Sequence, residues 1–382
     1  MSIYRTLSAT FHLTHDCNLR CDYCYTGQKV GKPMSDEIVE SSLVFILQQA
    51  QETGAERLDI TFFGGEPLLA KDKIYQIVDE LDQRAAHLTR SYKLSTNGTL
   101  LTEQVMNELL SRRVFLSLSL DGSPETNDLY RKRAGGQGTA KRIEEAARLL
   151  LKHNPCASVT CVVTPATAGR VAPSVDYLYE LGFRYISTTL DYSAEWSVEH
   201  FKALKSSYKQ LAKWYEGKML AEERFYLSFF DERIRTRTYK PLAAHERCHV
   251  AGKHFSIAPD GALYPCIQFV TTEGRPEFII GHVNEGFDNA CKQHIHQASE
   301  KEKPECNGCT LEARCSKWCS CINFASTGTI DQASPIACYN ERILMEIVDK
   351  TADRLWKKRS NMFVHKHYNP DYPIIAHLEA NL

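Results

Sequence analysis

The first half of the chain alternates short apolar runs with longer segments in which apolar residues recur at helical spacing. This alternation is typical of repeated strand and helix units that build a parallel sheet. A helix is predicted over SDEIVESSLVFILQQAQE, with Ser35 as its N-cap and Gly54 at its end. The predicted strands lie at residues 9–14, 58–63, 92–95, 115–120, 158–164 and 183–190. Six such units suit an α/β fold of the partial (β/α)6 kind, an incomplete TIM barrel.

The pattern changes after about residue 197. A long helix is predicted over HFKALKSSYKQLAKWYEGKML, and from about residue 241 the chain becomes rich in cysteines and loops. A last helix is predicted over NERILMEIVDKTADRLWKKR. We therefore predict a barrel with a helical linker at 1–240, a cysteine-rich domain at 241–345, and a C-terminal helix and tail at 346–382.

The charges nearly cancel, with 46 Lys and Arg against 47 Asp and Glu. Such a balance produces no field that would gather nucleic acid or an anionic membrane surface, so neither is expected as a partner. No apolar run approaches membrane-spanning length, and the N-terminus lacks the pattern of a signal peptide. We therefore expect a cytoplasmic protein.

The fourteen cysteines are the most informative part of the composition. Cytosolic thiols are kept reduced, so these residues are interpreted as metal ligands rather than as a disulfide framework. Eleven fall into three groups: Cys17, Cys21 and Cys24; Cys248 and Cys266; and Cys306, Cys309, Cys315, Cys319, Cys321 and Cys338. The others, Cys156, Cys161 and Cys291, are interpreted as ordinary buried or half-buried thiols.

The run CNLRCDYCY places Cys17, Cys21 and Cys24 on a loop after the first predicted strand. Loops at the carboxyl ends of strands are where α/β folds assemble their active sites. Three thiolates can bind three irons of a [4Fe-4S] cubane, which leaves the fourth iron open for another ligand. A partial zinc site has similar spacing, so the cysteines alone leave both interpretations open.

The sequence resembles the radical SAM superfamily, whose hallmark is this spacing with an aromatic residue, here Tyr23, before the last cysteine. A second match is FFGGEPLL, which supplies Gly64, Gly65, Glu66 and Pro67 after the second strand. In that family S-adenosylmethionine chelates the open iron, and its reductive cleavage gives a 5'-deoxyadenosyl radical that abstracts hydrogen from the substrate. The resemblance therefore implies S-adenosylmethionine as cofactor and Cys17, Cys21 and Cys24 as the catalytic cluster ligands.

The same resemblance implies further contacts to S-adenosylmethionine. The glycines let the backbone approach a ligand, and Glu66 could accept from the cationic amine. Arg131 could bind the carboxylate as a bidentate pair, or be a solvated helix arginine. The other implied contacts come from STNG and SLDG at the ends of the third and fourth strands, namely Ser95, Asn97 and Ser119.

The later cysteines resemble the seven-cysteine pattern of SPASM domains, with a zinc ribbon as the alternative. Cys321 adds an eighth thiol, and the pair CSC resembles that of some peptide-modifying members, including the pyrroloquinoline quinone pathway enzyme. The resemblance gives auxiliary cluster I to Cys248, Cys266, Cys319 and Cys321, and auxiliary cluster II to Cys306, Cys309, Cys315 and Cys338. Two closed [4Fe-4S] clusters favour electron transfer or structural support, and they bring the implied total to three.

The resemblance implies a peptide or protein substrate in which a crosslink, thioether or oxidation is installed, as in ribosomal peptides. The alternative is an anaerobic sulfatase-maturing, formylglycine-generating enzyme. In those enzymes an aspartate follows the second cysteine of the auxiliary field, whereas this chain has Ile267, although Asp191 or another acid could substitute. A binding or electron-carrier protein that holds clusters without turnover is the third hypothesis.

The implied partners are an electron donor such as flavodoxin or ferredoxin and, for a precursor peptide, a separate leader-binding protein. The basic runs at 233–240 and 356–368 could instead bind an acidic leader peptide, or they could be solvent-exposed surfaces with no binding role. His12 and His15 flank the cysteine loop and could tune a cluster through hydrogen bonds, or simply pack in the core.

Overall fold

The computed structural model describes residues 5–239, 248, 250–252 and 254–372. In these residues the strands are β1 (Thr6–His12), β2 (Arg57–Phe63), β3 (Thr89–Thr96), β4 (Val114–Ser119), β5 (Ser158–Val163), β6 (Tyr185–Leu190), β7 (Tyr226–Leu227), β8 (His254–Ile257), β9 (Leu263–Tyr264), β10 (Gly281–His282) and β11 (Gly286–Phe287). The helices are α1 (Asp36–Thr53), α2 (Lys71–Arg84), α3 (Glu103–Ser111), α4 (Pro124–Asn127), α5 (Ala140–His153), α6 (Val171–Leu181), α7 (Val198–Leu220), α8 (Ser228–Thr238), α9 (Asn289–Ser299), α10 (Ser320–Thr327), α11 (Pro335–Lys357) and α12 (Asn361–Tyr368).

These elements form two compact units. The first unit contains β1 to β4, β8 to β11, α1 to α3, α9 and most of α5. The second unit contains α4, β5 to β7, α6 to α8 and α10 to α12. The boundary predicted near residue 240 lies outside the described residues, so that division stays a prediction.

The sheet of the first unit has the strand order β9-β8-β1-β2-β3-β4, with every pair parallel except β8 and β9. The register of β1 and β2 runs from Thr6 opposite Arg57 to His12 opposite Phe63, so the two strands end level. Because parallel strands point the same way, the loops after β1, β2, β3 and β4 leave the sheet at one edge. The sequence motifs that follow those strands therefore share that edge.

The local sequence explains these elements. In β2 the side chains of Leu58, Ile60 and Phe62 are buried and alternate with half-buried positions, as expected for a pleated strand. At the start of α1, the Ser35 hydroxyl oxygen accepts a hydrogen bond from the Ile38 amide at 3.2 Å. Gly54 ends that helix with a left-handed φ of 60°. Both predicted caps are confirmed.

In the second unit, β5, β6 and β7 form parallel pairs, and long helices pack beside them. The Tyr208 hydroxyl on α7 donates to the Asn340 side chain on α11 at 2.8 Å. A buried cluster joins α8 to α12, where Asp231 lies 2.7 Å from the Lys366 ammonium and 3.2 Å from the His367 ring. Polar groups this deeply buried stabilise a fold only when they are paired.

The six predicted strands correspond to β1 to β6, although β1 begins at Thr6, before the predicted start, and ends at His12. The two long helices predicted in the second half correspond to α7 and α11. Residues after 240 contribute β8, which pairs with β1 in parallel. No helix in the described part of the chain is long and apolar enough to cross a membrane.

Candidate functional site

The three-cysteine loop follows β1 at the edge where the parallel strands end. Cys17 is buried, while Cys21 and Cys24 are half-buried. The Cys24 amide donates to the Cys21 carbonyl at 3.0 Å, which turns the chain between these two thiols. The Cys17 sulfur accepts from the Leu19 amide at 3.4 Å and from the Asn97 side chain at 3.8 Å. Hydrogen bonds to a sulfur stabilise its thiolate form, the form that binds iron.

The thiols of this loop have different electrostatic environments. Burial raises the pKa of the Cys17 thiol to about 12. Burial also disfavours the Cys24 thiolate. The Lys29 ammonium, whose Nζ lies 2.9 Å from the sulfur, and hydrogen bonds with Thr26 together outweigh that effect and lower the pKa of Cys24. The loop thus places a lysine against one of the thiols predicted to bind iron.

Gly64 and Gly65 allow the loop after β2 to lie against the cysteine loop. The Gly65 amide donates to the Thr14 carbonyl at 2.7 Å, and the Glu66 amide donates to the Asp16 carbonyl at 2.9 Å. A Cβ added at Gly65 would lie 2.1 Å from the Asp16 oxygen, and one at Gly64 would lie 2.6 Å from the Thr14 oxygen. Both glycines therefore permit a close approach to the chain's own backbone, and their predicted approach to a ligand stays a prediction.

Glu66 joins two of the predicted motifs. It is 1% exposed. One carboxylate oxygen accepts from the Thr96 hydroxyl at 2.7 Å and the Leu68 amide at 3.0 Å, and the other accepts from the Asn97 amide at 2.8 Å. Burial raises the pKa of Glu66 against the opposing effect of these hydrogen bonds. A carboxylate can accept about four hydrogen bonds, so one acceptor position remains for the predicted amine of the cofactor.

Asn97 connects this network to the cysteine loop. Its side-chain NH2 donates to the Asn18 oxygen at 2.9 Å and lies 3.8 Å from the Cys17 sulfur. Asn18 in turn donates to the Thr99 hydroxyl at 2.8 Å, and that hydroxyl donates back to Asn97 at 2.6 Å. The loops after β1 and β3 are therefore held together by a closed set of hydrogen bonds.

Arg131 is not a solvated helix residue. It is buried, and its guanidinium carbon lies 5.5 Å from the ring centre of Tyr23. The ring of Tyr130 lies 5.8 Å from the same tyrosine. The Arg20 amide donates to the Lys132 carbonyl at 2.7 Å. Residues 130–132 thus pack against the cysteine loop and bring a cation beside its aromatic residue.

The remaining predicted cofactor residues lie at the same edge of the sheet. Pro67 begins a short 3₁₀ turn that Glu66 caps. Ser95 is next to last in β3, and Ser119 ends β4. The first unit therefore contains all three cysteines and the predicted cofactor residues Tyr23, Gly64, Gly65, Glu66, Pro67, Ser95, Asn97, Ser119 and Arg131. A loop of three thiols beside a buried carboxylate and a buried guanidinium fits a cluster with an amino-acid ligand.

The second unit contains a cavity whose lining includes Cys306, Cys309, Cys315 and Cys338. These are the four cysteines predicted for auxiliary cluster II. Cys338 comes from the first turn of α11, and the other three come from the loop segment before α10. Four thiols around one cavity could hold a cubane, because each iron takes one thiolate.

Buried polar contacts hold the walls of this cavity. The Asn323 side chain donates to the Lys317 carbonyl at 2.9 Å and accepts from the Ser334 amide at 3.0 Å. The buried carboxylate of Glu341 lies 2.7 Å from the Arg233 guanidinium. The Asn323 contacts fix the loop that carries three of the cysteines against the start of α11, which carries the fourth, and the ion pair holds α11 against α8.

The cysteines predicted for auxiliary cluster I are distributed over both units. The sulfurs of Cys319 and Cys321 lie 3.5 Å apart at the start of α10. Cys248 belongs to the same unit, whereas Cys266 ends the loop after β9 in the first unit. Whether the four thiols converge stays a prediction.

Sequence reasoning missed two contributors to the first site, Lys29 and Asn18. No spacing motif marks them, since Asn18 acts through a contact with the distant Thr99 and Lys29 acts through the fold of its own loop. Within the part of the chain that the structure describes, neither buried ring nitrogen of His12 has a hydrogen-bond partner, so the hypothesis that His12 tunes a cluster by hydrogen bonding gains no support. Burial, His15 and Lys29 lower the pKa of His12 to about 3, so its ring is neutral. Packing in the core describes this histidine better.

Comparison with known proteins independently supports the predicted resemblance to the radical SAM superfamily. Residues 11–191 match the model of the Radical SAM superfamily. The chain is 28% identical over 330 residues to the Cysteine-type anaerobic sulfatase-maturating enzyme of Clostridium perfringens, which covers 79% of this chain and 85% of that protein. It is also 28% identical over 214 residues to the Sporulation killing factor maturation protein SkfB of Bacillus subtilis, covering 54% of this chain and 48% of that protein.

The fold agrees with these matches. The solved structure of native anSMEcpe with bound AdoMet superimposes with a TM-score of 0.76 at 24% identity, over 91% of this chain and 99% of that chain. This superposition confirms the predicted α/β fold, and the match of residues 11–191 to the superfamily model confirms the predicted resemblance. The chain is therefore an enzyme with a radical SAM domain at residues 11–191, and that domain implies S-adenosylmethionine and a [4Fe-4S] cluster as cofactors.

Proposed function

We propose that this enzyme installs a modification in a peptide or protein, with three [4Fe-4S] clusters. Cys17, Cys21 and Cys24 would hold the first cluster, which together with S-adenosylmethionine supplies a 5'-deoxyadenosyl radical. The observation that carries this assignment is the closed hydrogen-bond network that joins the cysteine loop to Glu66 and Asn97 at one edge of a parallel sheet. Such an edge is where α/β enzymes bind their ligands.

The residues around the loop would orient the cofactor. The free acceptor position on Glu66 would take a hydrogen bond from the methionyl amine, and the Arg131 guanidinium would bind the carboxylate. Asn97 would donate to the Cys17 sulfur, and Lys29 would offset charge at Cys24. Ser95 and Ser119, at the ends of neighbouring strands, would contact the ribose side.

The cavity in the second unit would hold auxiliary cluster II on Cys306, Cys309, Cys315 and Cys338. Auxiliary cluster I would use Cys248, Cys266, Cys319 and Cys321. With four thiolates each, both clusters would have closed shells and would serve electron transfer or structural support. Anaerobic reconstitution should therefore give roughly 12 irons per chain. About 8 irons, or bound zinc, would contradict the three-cluster assignment.

A peptide or protein substrate is supported by the similarity to maturation enzymes, one named for sulfatase maturation and one for a sporulation killing factor. A reductant such as flavodoxin or ferredoxin would supply electrons. A separate leader-binding protein would be needed if the enzyme's own surface does not hold the precursor.

Formylglycine generation is the second candidate, and the 28% identity over 330 residues to the Clostridium perfringens enzyme favours it equally. Against it stands Ile267, which follows Cys266 where sulfatase maturases have an aspartate. Asp191 is an alternative base at the end of β6, where its carboxylate accepts from the Ser193 hydroxyl at 2.6 Å. The two candidates differ in substrate rather than in radical chemistry.

One experiment separates them. The reconstituted enzyme, S-adenosylmethionine and dithionite are incubated under anaerobic conditions with peptides encoded beside the gene, or with a cysteine-containing sulfatase peptide. Mass spectrometry of a modified neighbouring peptide would support the first candidate, and formylglycine in the sulfatase peptide would support the second. Release of 5'-deoxyadenosine with neither peptide changed would count against both substrates. No 5'-deoxyadenosine at all would favour a cluster carrier without turnover.

A further inference from the structure

The cavity lined by Cys306, Cys309, Cys315 and Cys338 has two buried lysines beside it. Lys303 is 1% exposed and Lys317 is 6% exposed. Their Nζ atoms lie 5.0 Å and 4.5 Å from the centre of the Trp318 ring, respectively, so one indole packs against both ammonium groups. Lysine is among the residues least often fully buried, and two beside one ring require a compensating negative charge.

Both lysines act electrostatically on the cysteines of the cavity. Lys303 and Lys317 each interact with the Cys306 thiol, and Lys317 also interacts with Cys315. Once iron is bound, these sulfurs are thiolates and the cluster carries net negative charge. The two ammonium groups would therefore offset the net negative charge that remains when four thiolates bind the cationic iron-sulfur core, which would explain why the chain buries the lysines here.

Nearby carboxylates offset only part of this positive charge. Lys317 forms an ion pair with Glu312, whose side chain is 37% exposed. Lys303 interacts with Glu305 and Asp331, and the Glu305 carboxylate also accepts from the Ala333 amide at 2.5 Å. Solvent screens the exposed carboxylate more than it screens the buried ammonium groups. Arg342, which also lines the cavity and interacts with Cys338, adds a further positive charge, so the net effect of the surroundings on the cluster would be positive.

The remaining acid of the cavity is already paired. The Glu341 carboxylate lies 2.7 Å from Arg233 and accepts from the Ser316 hydroxyl at 3.1 Å. It contributes no uncompensated negative charge that would cancel the lysines.

We propose that Lys303 and Lys317 raise the reduction potential of auxiliary cluster II, and this inference rests on the proposed assignment of that cluster. One-electron reduction adds a negative charge to the cluster, and a buried cation nearby stabilises the reduced form more than the oxidised form. The lysines would act on the charge of the cluster and not on the reacting atoms of the substrate. They are positioning residues that make auxiliary cluster II easier to reduce.

The test is an anaerobic redox titration, followed by electron paramagnetic resonance, of the fully reconstituted enzyme. Lys303→Met and Lys317→Met are each expected to shift the reduction equilibrium of auxiliary cluster II about tenfold toward the oxidised form, which is ~59 mV for a one-electron couple. Lys303→Arg keeps the positive charge and should therefore keep the reduction potential of auxiliary cluster II at its wild-type value. The control is Lys350→Met, since Lys350 is 66% exposed and pairs with Glu346 outside the cavity.

Iron content separates the possible failures. Variants that keep full iron and a wild-type potential would overturn the inference while leaving the cluster assignment intact. Loss of iron in both Met variants would also overturn it, because the lysines would then serve assembly rather than potential. A different result would refute the proposed cluster itself. If Cys306, Cys309, Cys315 and Cys338 bind no iron in the wild-type chain, Cys309→Ala leaves the iron content unchanged.

Discussion

The two cysteine sites are held in different ways. In the first unit, backbone contacts made possible by glycine and a set of hydrogen bonds fix the loop of Cys17, Cys21 and Cys24. In the second unit, buried ion pairs brace the cavity around Cys306 to Cys338, as with Arg233 and Glu341. The first site should therefore respond mainly to changes of shape and the second mainly to changes of charge.

The difference also concerns coordination. Three thiols on one loop leave an iron with an open position, whereas four thiols around a cavity close the shell. Reactivity is thus expected at the first site and electron storage or transfer at the second. The predictions below follow this contrast from the largest expected effect to the smallest.

The largest effect should come from removing one thiol at each site. Cys21→Ala should abolish 5'-deoxyadenosine formation, because the cluster that binds S-adenosylmethionine is lost. Cys309→Ala should remove auxiliary iron but leave measurable cleavage of S-adenosylmethionine. Chromatographic assay of 5'-deoxyadenosine and iron analysis check both. Cys291→Ala, outside both sites, is the control, and equal loss of activity in both site variants would break the contrast.

The next prediction concerns shape. In Gly65→Ala the new Cβ would lie 2.1 Å from the Asp16 oxygen, so the cysteine loop must move. Displacement of about 1 Å at a reactive centre can cost about 10²-fold in rate, and a decrease of that order is expected in 5'-deoxyadenosine formation. Gly217→Ala is the matched control, because a Cβ there meets no atom within 4 Å. Equal rates of 5'-deoxyadenosine formation in the two variants would contradict the claim that close packing at Gly65 positions the cysteine loop.

The charge prediction concerns the second unit. Among the described residues, Glu341→Gln would leave the buried Arg233 guanidinium with only the exposed Glu232 carboxylate, 3.0 Å away. Loss of the buried partner typically costs ~3 kcal/mol in the free energy of unfolding. Glu346→Gln removes a carboxylate from a surface ion pair and should cost under ~1 kcal/mol. Urea denaturation of both variants measures the difference. Similar stabilities would mean that the buried pair does not brace the cavity.

The smallest effect is a dependence of stability on pH. Burial disfavours the Asp231 carboxylate, but Lys366 and His367 outweigh it and hold its pKa well below the usual range. Asp231 is therefore protonated at a lower pH in the folded state than in the unfolded state, where the pKa of an aspartate is about 3.9. The free energy of unfolding should fall below about pH 4, by up to ~1.4 kcal/mol per pH unit. Asp231→Asn should lose this pH-dependent part of the free energy of unfolding, which urea denaturation at several pH values measures. The same dependence on pH in the variant as in the wild type would contradict the prediction.

Local signals in the sequence predict much of the fold. Alternating apolar residues predict β2, and Ser35 and Gly54 predict both ends of α1, because each signal acts within a few residues. The cysteine spacing and GGEP predict which loops carry the first site. Periodicity could not predict that β8 pairs with β1, since those residues are far apart in the chain.

Contacts between distant segments also define the details of the site. The sequence predicts Gly65 as a point of close approach, but only the folded chain identifies its partner as the Asp16 carbonyl. Glu66 was predicted to bind cofactor, and three of its acceptor positions serve Leu68, Thr96 and Asn97 instead. Lys29 carries no motif, because its effect depends on where the loop brings its ammonium group.

The most direct test of the central claim is hydrogen transfer from substrate to cofactor. Reconstituted enzyme is reduced anaerobically with S-adenosylmethionine and a deuterium-labelled peptide encoded beside the gene, and the 5'-deoxyadenosine is analysed by mass spectrometry. We predict release of 5'-deoxyadenosine that carries deuterium, and none from Cys21→Ala. Two results would contradict a peptide-modifying radical enzyme. One is 5'-deoxyadenosine without deuterium in the presence of every labelled neighbouring peptide and of a labelled sulfatase peptide. The other is no 5'-deoxyadenosine at all.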